Sequence, residues 1–152
     1  MIRQERVLEF PYIVDDQVRP ELNMEYRISN NREVYSYVYE EEVTAVVCVA
    51  YTLDVPITIQ ELDSMCVAPA EANCAIFYTV WSYKKGFGRS LIMEGIPKLL
   101  ARYPNLTRFV TLSPKTEMAF RFHTKNGAEH IANNPESDNY EYMVKSGVKV
   151  VV

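Results

Sequence analysis

The sequence has no apolar run that approaches the length of a membrane span, which excludes a membrane-embedded chain and any membrane partner. Its start, Met1-Ile2-Arg3-Gln4-Glu5-Arg6, leads into no signal-like apolar region. Cysteine is scarce. Cys48, Cys66 and Cys74 show no zinc-ligand spacing, and Cys48 and Cys74 sit inside apolar runs as small hydrophobes. Free thiols in a reducing cytoplasm are expected, with no disulfide and no metal site. A basic excess is missing too: 16 Lys and Arg stand against 20 Asp and Glu, a net charge of −4. That balance excludes a general nucleic-acid binder and favours a cationic or neutral partner. Repeats, low-complexity tracts and linkers are absent. With 48% hydrophobic and 24% charged residues, the chain reads as one domain over residues 1–152, large enough to bury a core.

One stretch organises what is there. Ala75-Ile76-Phe77-Tyr78-Thr79-Val80-Trp81 reads as a buried strand. Leu91 to Leu100 reads as a helix with an apolar stripe at 91, 92, 95, 96, 99 and 100. Between them lies Tyr83-Lys84-Lys85-Gly86-Phe87-Gly88-Arg89-Ser90. A glycine-rich turn opening a helix gathers backbone N–H groups beside the positive end of the helix dipole. The two glycines permit close approach of a ligand, and Lys84, Lys85 and Arg89 add cations, so the turn suits a pyrophosphate. The dinucleotide fingerprint fails because Leu91 stands where a third glycine is needed. The P-loop fails because Arg89-Ser90 follows Gly88.

Along the rest of the chain, Arg6 to Phe10 reads as a first strand ended by Pro11. Asp15 to Ile28 is the least legible part, with Pro20 as a helix start. Val34 to Tyr39 alternates strictly and Ala45 to Leu53 is continuously apolar. Together they form a hairpin around Glu40-Glu41-Glu42. Ile57 to Leu62 adds a short element, and Ala68 to Ala72 is a loop or a single turn. The helix over 87–102 contains Pro97, which should kink it. Thr107 to Leu112 is a strand. Ser113-Pro114 has the chemistry of an N-cap and first helical position, and Gly127 is the C-terminal stop. Tyr140 to Lys145 is a last strand. The apolar tail Val148 to Val152 suits an edge strand or a partner chain, which leaves a homodimer open.

The loop resembles the pyrophosphate turn of the GNAT superfamily, the acyl-CoA-dependent N-acyltransferases, whose usual form is Arg/Gln-x-x-Gly-x-Gly/Ala. Tyr83 replaces the first residue. The second helix is similar as well. Against Asn-x-x-Ala-x-x-Phe/Leu-Tyr-x-x-x-Gly, this chain carries Thr116, Ala119, Phe122, His123 and Gly127 in register. The resemblance covers residues 75–128. It implies an α/β fold with a central mixed sheet flanked by helices, the loop strand and the strand at 107–112 parting near their ends.

It also implies acetyl-CoA or another acyl-CoA as cofactor and a primary amine, on a small molecule or a protein, as acceptor. CoA would lie along Val80 and Trp81, on the loop from Tyr83 through Ser90, and against Thr116, Ala119 and Phe122. His123 stands where many GNAT members place the tyrosine acid that protonates the departing thiolate; histidine can donate at neutral pH. A base or a water chain must take the amine proton. Glu71, with Glu61 and Asp63, lies near the presumed acceptor pocket, and Tyr78 on the central strand can order a water. Leu112-Ser113-Pro114 is similar to a Leu-Ser-Pro of malonyl-CoA decarboxylases, which carry a GNAT-like domain; capping is the simpler explanation of Ser113. The altered Tyr83, Pro97 and His123 keep open an alternative, a GNAT-fold protein without catalysis that binds or builds. An unrelated α/β domain is a third reading.

Overall fold

The computed structural model describes residues 1–144. The predicted hairpin is present: β2 (Glu33–Tyr39) and β3 (Glu42–Thr52) pair antiparallel. Glu40 and Glu41 turn the chain at φ of 52° and 69°. That left-handed pair matches the twist of the strands it joins.

The first strand lies elsewhere than the sequence suggested. β1 is Ile2–Glu5, antiparallel to β2. Val7 and Leu8 are 56% and 58% exposed, so the apolar pattern over 6–10 is a turn rather than a ladder. It delivers Phe10 to the core and Pro11 to the first position of a 3-10 turn, Pro11–Asp15.

The legible helix start at Pro20 is also displaced. Helix α1 is Met24–Ile28, and the Asn23 side chain accepts from the Tyr26 N–H at its start. The preceding residues instead wrap a fully buried ion pair, Asp16 to Arg27 at 2.7 Å. Asp16 also accepts from Thr79 Oγ1 and from the N–H groups of Val18 and Arg19. Arg27 donates onward to the carbonyls of Arg19 and Leu22. With every lone pair and proton used, a buried pair of this kind tolerates its desolvation.

Helix α2 is Ile59–Met65, capped by Thr58, and Pro69–Glu71 is the expected single turn. The central strand β4 (Cys74–Ser82) and helix α3 (Phe87–Arg102) fall where periodicity put them. Pro97 sits on the exposed side of α3 and the helix continues through it. Strand β5 is Arg108–Thr111. Helix α4 is Glu117–Lys125, followed by Gly127 at φ +93°. Its N-cap is Thr116, whose side chain accepts from Ala119 N–H, and not Ser113. Strand β6 is Glu129–Asn133 and β7 is Asp138–Tyr142. Lys145 and the tail at 148–152 lie outside the described residues.

The seven strands form one mixed sheet in the order β1-β2-β3-β4-β5-β7-β6. Only the β4–β5 pair is parallel. Two apolar clusters cover its faces. One joins Leu91, Ile92, Ile96 and Leu99 of α3 to Val47, Val49, Phe77, Phe109, Tyr140 and Tyr142. The other joins Phe10, Met24 and Leu62 to Val46, Cys48, Ile76, Tyr78 and Leu112. Among the described residues no helix is long and apolar enough to cross a membrane.

Candidate functional site

The expected parting of β4 from β5 is present, and its cause is visible. The parallel ladder runs only from Cys74↔Arg108 to Phe77↔Thr111, closed by the Leu112 N–H on the Phe77 carbonyl. Ser113 then exchanges both backbone hydrogen bonds with Asp138, which draws the chain toward β7. On the other side, Cys48 pairs with Thr79 and Val49 with Phe77, so Tyr78 is an extra residue opposite β3. Such a bulge bends the strand and raises its local twist. From Tyr78 to Ser82, β4 keeps β3 on one edge and has no strand on the other. Arg19 bridges the fork, donating to the Tyr78 and Leu112 carbonyls.

The fork opens into a cavity of about 560 Å³. β4 lines it from Phe77 to Ser82, a length of roughly 20 Å at the rise of a strand. Tyr83 and Gly88 stand at its loop end. Leu112, Ser113, Val18 and His123 stand at its fork end. Thr116, Ala119 and Phe122 of the α4 region form one wall, and the segment from Val14 to Val18 forms the facing one.

At the loop end, Gly86 takes φ +90°, a conformation side chains resist. A Cβ on Gly88 would stand 3.2 Å from the Phe122 ring, so this glycine lets α3 and α4 close on each other. The N–H groups of Phe87 and Ser90 bond back to Lys84 and Gly86 carbonyls. Those of Lys85, Gly86, Gly88 and Arg89 meet no acceptor among the described residues. They form the open cluster of donors that an anion needs.

The loop side chains divide. Lys84 pairs with Glu42 at 3.1 Å, and Arg89 donates to Asn126 Oδ1 at 3.1 Å. Phe87 packs on Tyr37 and Tyr39, and Ser90 donates to the Gly86 carbonyl. Lys85 is exposed. Tyr83, the departure from the GNAT pattern, donates to Asp15 Oδ2 at 2.6 Å, accepts from Trp81 Nε1, and meets Tyr12 edge-on. Burial and the Asp15 carboxylate both hold its phenol protonated. Tyr83 therefore ties the glycine loop to the N-terminal segment.

At the fork end the side chains that line the cavity are uncharged, and the Arg19 guanidinium that bridges the fork is engaged by the Tyr78 and Leu112 carbonyls. His123 is 4% exposed. Its Nδ1 lies 2.7 Å from the Tyr142 hydroxyl, and its ring stacks on Tyr140. Burial pushes the imidazole down to about 4, so it is neutral at physiological pH. This corrects the expectation of an imidazolium acid. Burial raises the Tyr142 phenol, which has no other acceptor among the described residues. The phenol thus donates to Nδ1, and the ring proton rests on Nε2. Nε2 has no partner among the described residues and is not sealed from the cavity that His123 lines.

Of two other sequence candidates, Glu71 is not brought there, and Tyr78 lines the cavity with its ring in the second apolar cluster. Glu71 is exposed at the end of the Pro69–Glu71 turn, at the opposite end of β4 from the loop, and lines no part of this cavity. The Tyr78 ring points into the second cluster, edge-on to Tyr26, and its buried hydroxyl has no partner. Ser113, by contrast, gains interest. It caps no helix; it is 4% exposed, donates to Thr111 Oγ1 at 2.7 Å, and lines the cavity with His123. Asp15, Tyr142 and the Asp16–Arg27 anchor carried no local signal in the sequence, because each acts through a residue more than ten positions away.

No Lys or Arg lines this cavity among the described residues, and its one carboxylate, Asp15, is engaged by Tyr83.

The family described as the malonyl-CoA decarboxylase C-terminal domain matches residues 16–146. Among solved structures, a malonyl-CoA decarboxylase from Rhodopseudomonas palustris is similar at 18% identity and a TM-score of 0.74. It covers 95% of this chain, and this chain spans 60% of its length. A Bacillus subtilis acetyltransferase in complex with CoA is similar at 13% identity and a TM-score of 0.63, with 95% and 98% covered. A GNAT family acetyltransferase from Elizabethkingia anophelis with acetyl-CoA bound gives 13% and 0.63, with 95% and 97% covered. A search of curated proteins finds no match. At these identities the solved structures show the GNAT-like fold.

Proposed function

The chain belongs to the malonyl-CoA decarboxylase C-terminal domain family, and from that premise we propose that it binds a malonyl-type CoA thioester and releases carbon dioxide from it. The open N–H groups of the glycine loop take the pyrophosphate. The unpaired edge of β4 takes the amides of the pantetheine arm as a strand would. The thioester then lies at the fork.

The observation that carries the reading is a neutral His123 in a cavity that Ser113 also lines, with no Lys, Arg or free carboxylate in its lining among the described residues and with the nearby Arg19 guanidinium engaged by the Tyr78 and Leu112 carbonyls. Decarboxylation breaks the bond between the carboxylate carbon and the α-carbon. The electron pair moves onto the thioester oxygen as an enolate, carbon dioxide leaves, and the α-carbon then takes a proton from water to give acetyl-CoA, the hydroxide left behind combining with carbon dioxide as bicarbonate. No base is needed. What the step requires is donors at the enolate oxygen: the His123 Nε2–H supplies one, and the Ser113 hydroxyl supplies a second when its bond with Thr111 Oγ1 reverses so that the threonine donates. A carboxylate among Leu112, Val80 and Phe122, with the Arg19 guanidinium already engaged by the Tyr78 and Leu112 carbonyls, gains little from its surroundings. The dispersed charge of the transition state loses less on entering such a site. Acyl transfer to an amine asks for the opposite equipment. An amine near its ordinary pKa of about 10 arrives as ammonium, and a base must take its proton.

The test is to supply malonyl-CoA to the purified protein and follow acetyl-CoA and carbon dioxide. Parallel samples with acetyl-CoA and a panel of primary amines are followed for free thiol. The proposal expects acetyl-CoA without amine-dependent thiol. Thiol release with an amine, and stable malonyl-CoA, would replace it with the N-acyltransferase reading.

A further inference from the structure

A second cavity, of about 550 Å³, lies beneath α3. Its floor is Val47 and Val49 of β3, its roof Leu91, Ile92 and Leu99, and Ile2 of β1 closes its side, while the exposed Arg6, Lys98 and Arg102 also line it, so its interior is apolar and its outer side cationic. The space exists partly because Gly95 leaves it: a Cβ there would stand 3.9 Å from Ile2 Cδ1, its nearest neighbour. Phe77 is the single residue that lines both this cavity and the one at the fork. It is the last β4 residue in the parallel ladder, opposite Thr111, and it immediately precedes the Tyr78 bulge. Its ring lies in the cluster on the α3 face, 4% exposed, tilted against Phe109 at 6.3 Å.

Resting on the acyl-CoA reading above, we infer that Phe77 is the end wall of the acyl site and sets the length of acyl chain the protein accepts. With the pyrophosphate at Gly86 and Gly88, the thioester points down β4 toward the fork, and whatever extends beyond it meets Phe77. A two- or three-carbon acyl group stops short of the ring. A longer aliphatic tail would have to pass it to reach apolar space that is already present beneath α3. Phe77 therefore acts as a specificity-determining residue through its volume alone, and the chamber behind it fits the class of saturated acyl chains.

The experiment measures dissociation constants for acetyl-, butanoyl-, hexanoyl- and octanoyl-CoA with the native protein, Phe77→Leu and Phe77→Ala. Folding is checked by thermal melting, and Phe77→Leu, which keeps most of the apolar volume, serves if the alanine variant does not fold. In the native protein affinity should level or fall beyond the shortest chains. In the variants it should rise with length, since each newly buried methylene is worth about fourfold. Hexanoyl-CoA should then bind roughly tenfold or more tightly than to the native protein, with acetyl-CoA affinity little changed. A native profile that already rises with chain length, or variants that keep the native profile, would overturn the inference while leaving acyl-CoA binding intact. Failure of every acyl-CoA to bind the native protein would overturn both.

Discussion

The two ends of the cavity are built on opposite principles. The loop end is exposed and donor-rich, its open N–H groups flanked outside the cavity lining by Lys84, Lys85 and Arg89. The fork end is buried and lined among the described residues by uncharged side chains, His123, Ser113 and Leu112, with the bridging Arg19 guanidinium tied to backbone carbonyls. On the proposed reading, one end would hold a charge that arrives with the ligand, and the other would withhold compensation from a charge that must depart. A site with both cations and a carboxylate at the fork would favour binding the malonyl group over breaking it. The separation along β4 lets one strand serve both tasks.

The sharpest way to break this contrast is His123→Phe. If Nε2–H stabilises the enolate, the decarboxylation turnover should fall by roughly 10² to 10³, the usual worth of one such donor. Acetyl-CoA affinity, set at the loop end, should stay within about twofold, as measured by calorimetry. The native rate should not decline as pH rises from 6 to 8, because the imidazole is already neutral there. A turnover that titrates away near pH 7 would restore the imidazolium acid.

The same residue makes a stability prediction. Its folded value of about 4 lies below the unfolded 6.5, so the unfolded chain binds more protons between them. Stability is therefore complete above 6.5 and is lost as pH falls toward 4. The loss is on the order of 3 kcal/mol, to be read from urea unfolding at stepped pH. His123→Phe should flatten that slope; an unchanged slope would mean the ring is not desolvated as described.

Smaller effects belong to the loop end. Gly86→Ala places a side chain at φ +90° in open space, costing about 1–2 kcal/mol through the backbone alone and weakening CoA as the donor cluster relaxes. Gly88→Val acts on the fold as well as on the ligand. Its Cβ meets Phe122, so melting temperature and affinity should fall together. The smallest effect is Lys85→Ala, a loss of a few-fold in CoA affinity that disappears at about 1 M salt, where the screening length is about 3 Å. An effect that survives high salt would mean Lys85 makes a specific buried contact.

Much of this was legible along the chain. The hairpin around Glu40 and Glu41, β4, the glycine loop and all of α3 are local patterns, since periodicity and turn chemistry act over a few residues. The errors are equally local in origin. Arg6 to Phe10 has strand-like residues, but strand pairing was decided by Ile2–Glu5 meeting Val34–Tyr37. Ser113-Pro114 has helix-start chemistry, but Thr116 wins the cap while Ser113 is held by Asp138.

The sequence by itself determined that a pyrophosphate-shaped turn links a buried strand to an amphipathic helix, and that Ala119, Phe122 and His123 share one face of the next helix. The tertiary structure decided what those pieces do. A bulge at Tyr78 and the Ser113–Asp138 pairing open the fork. Tyr142, nineteen positions from His123, fixes which imidazole nitrogen keeps its proton. Burial then removes the charge that histidine would carry in water, because a low-dielectric surrounding without an acidic partner disfavours the imidazolium. That balance depends on neighbours brought together only by folding.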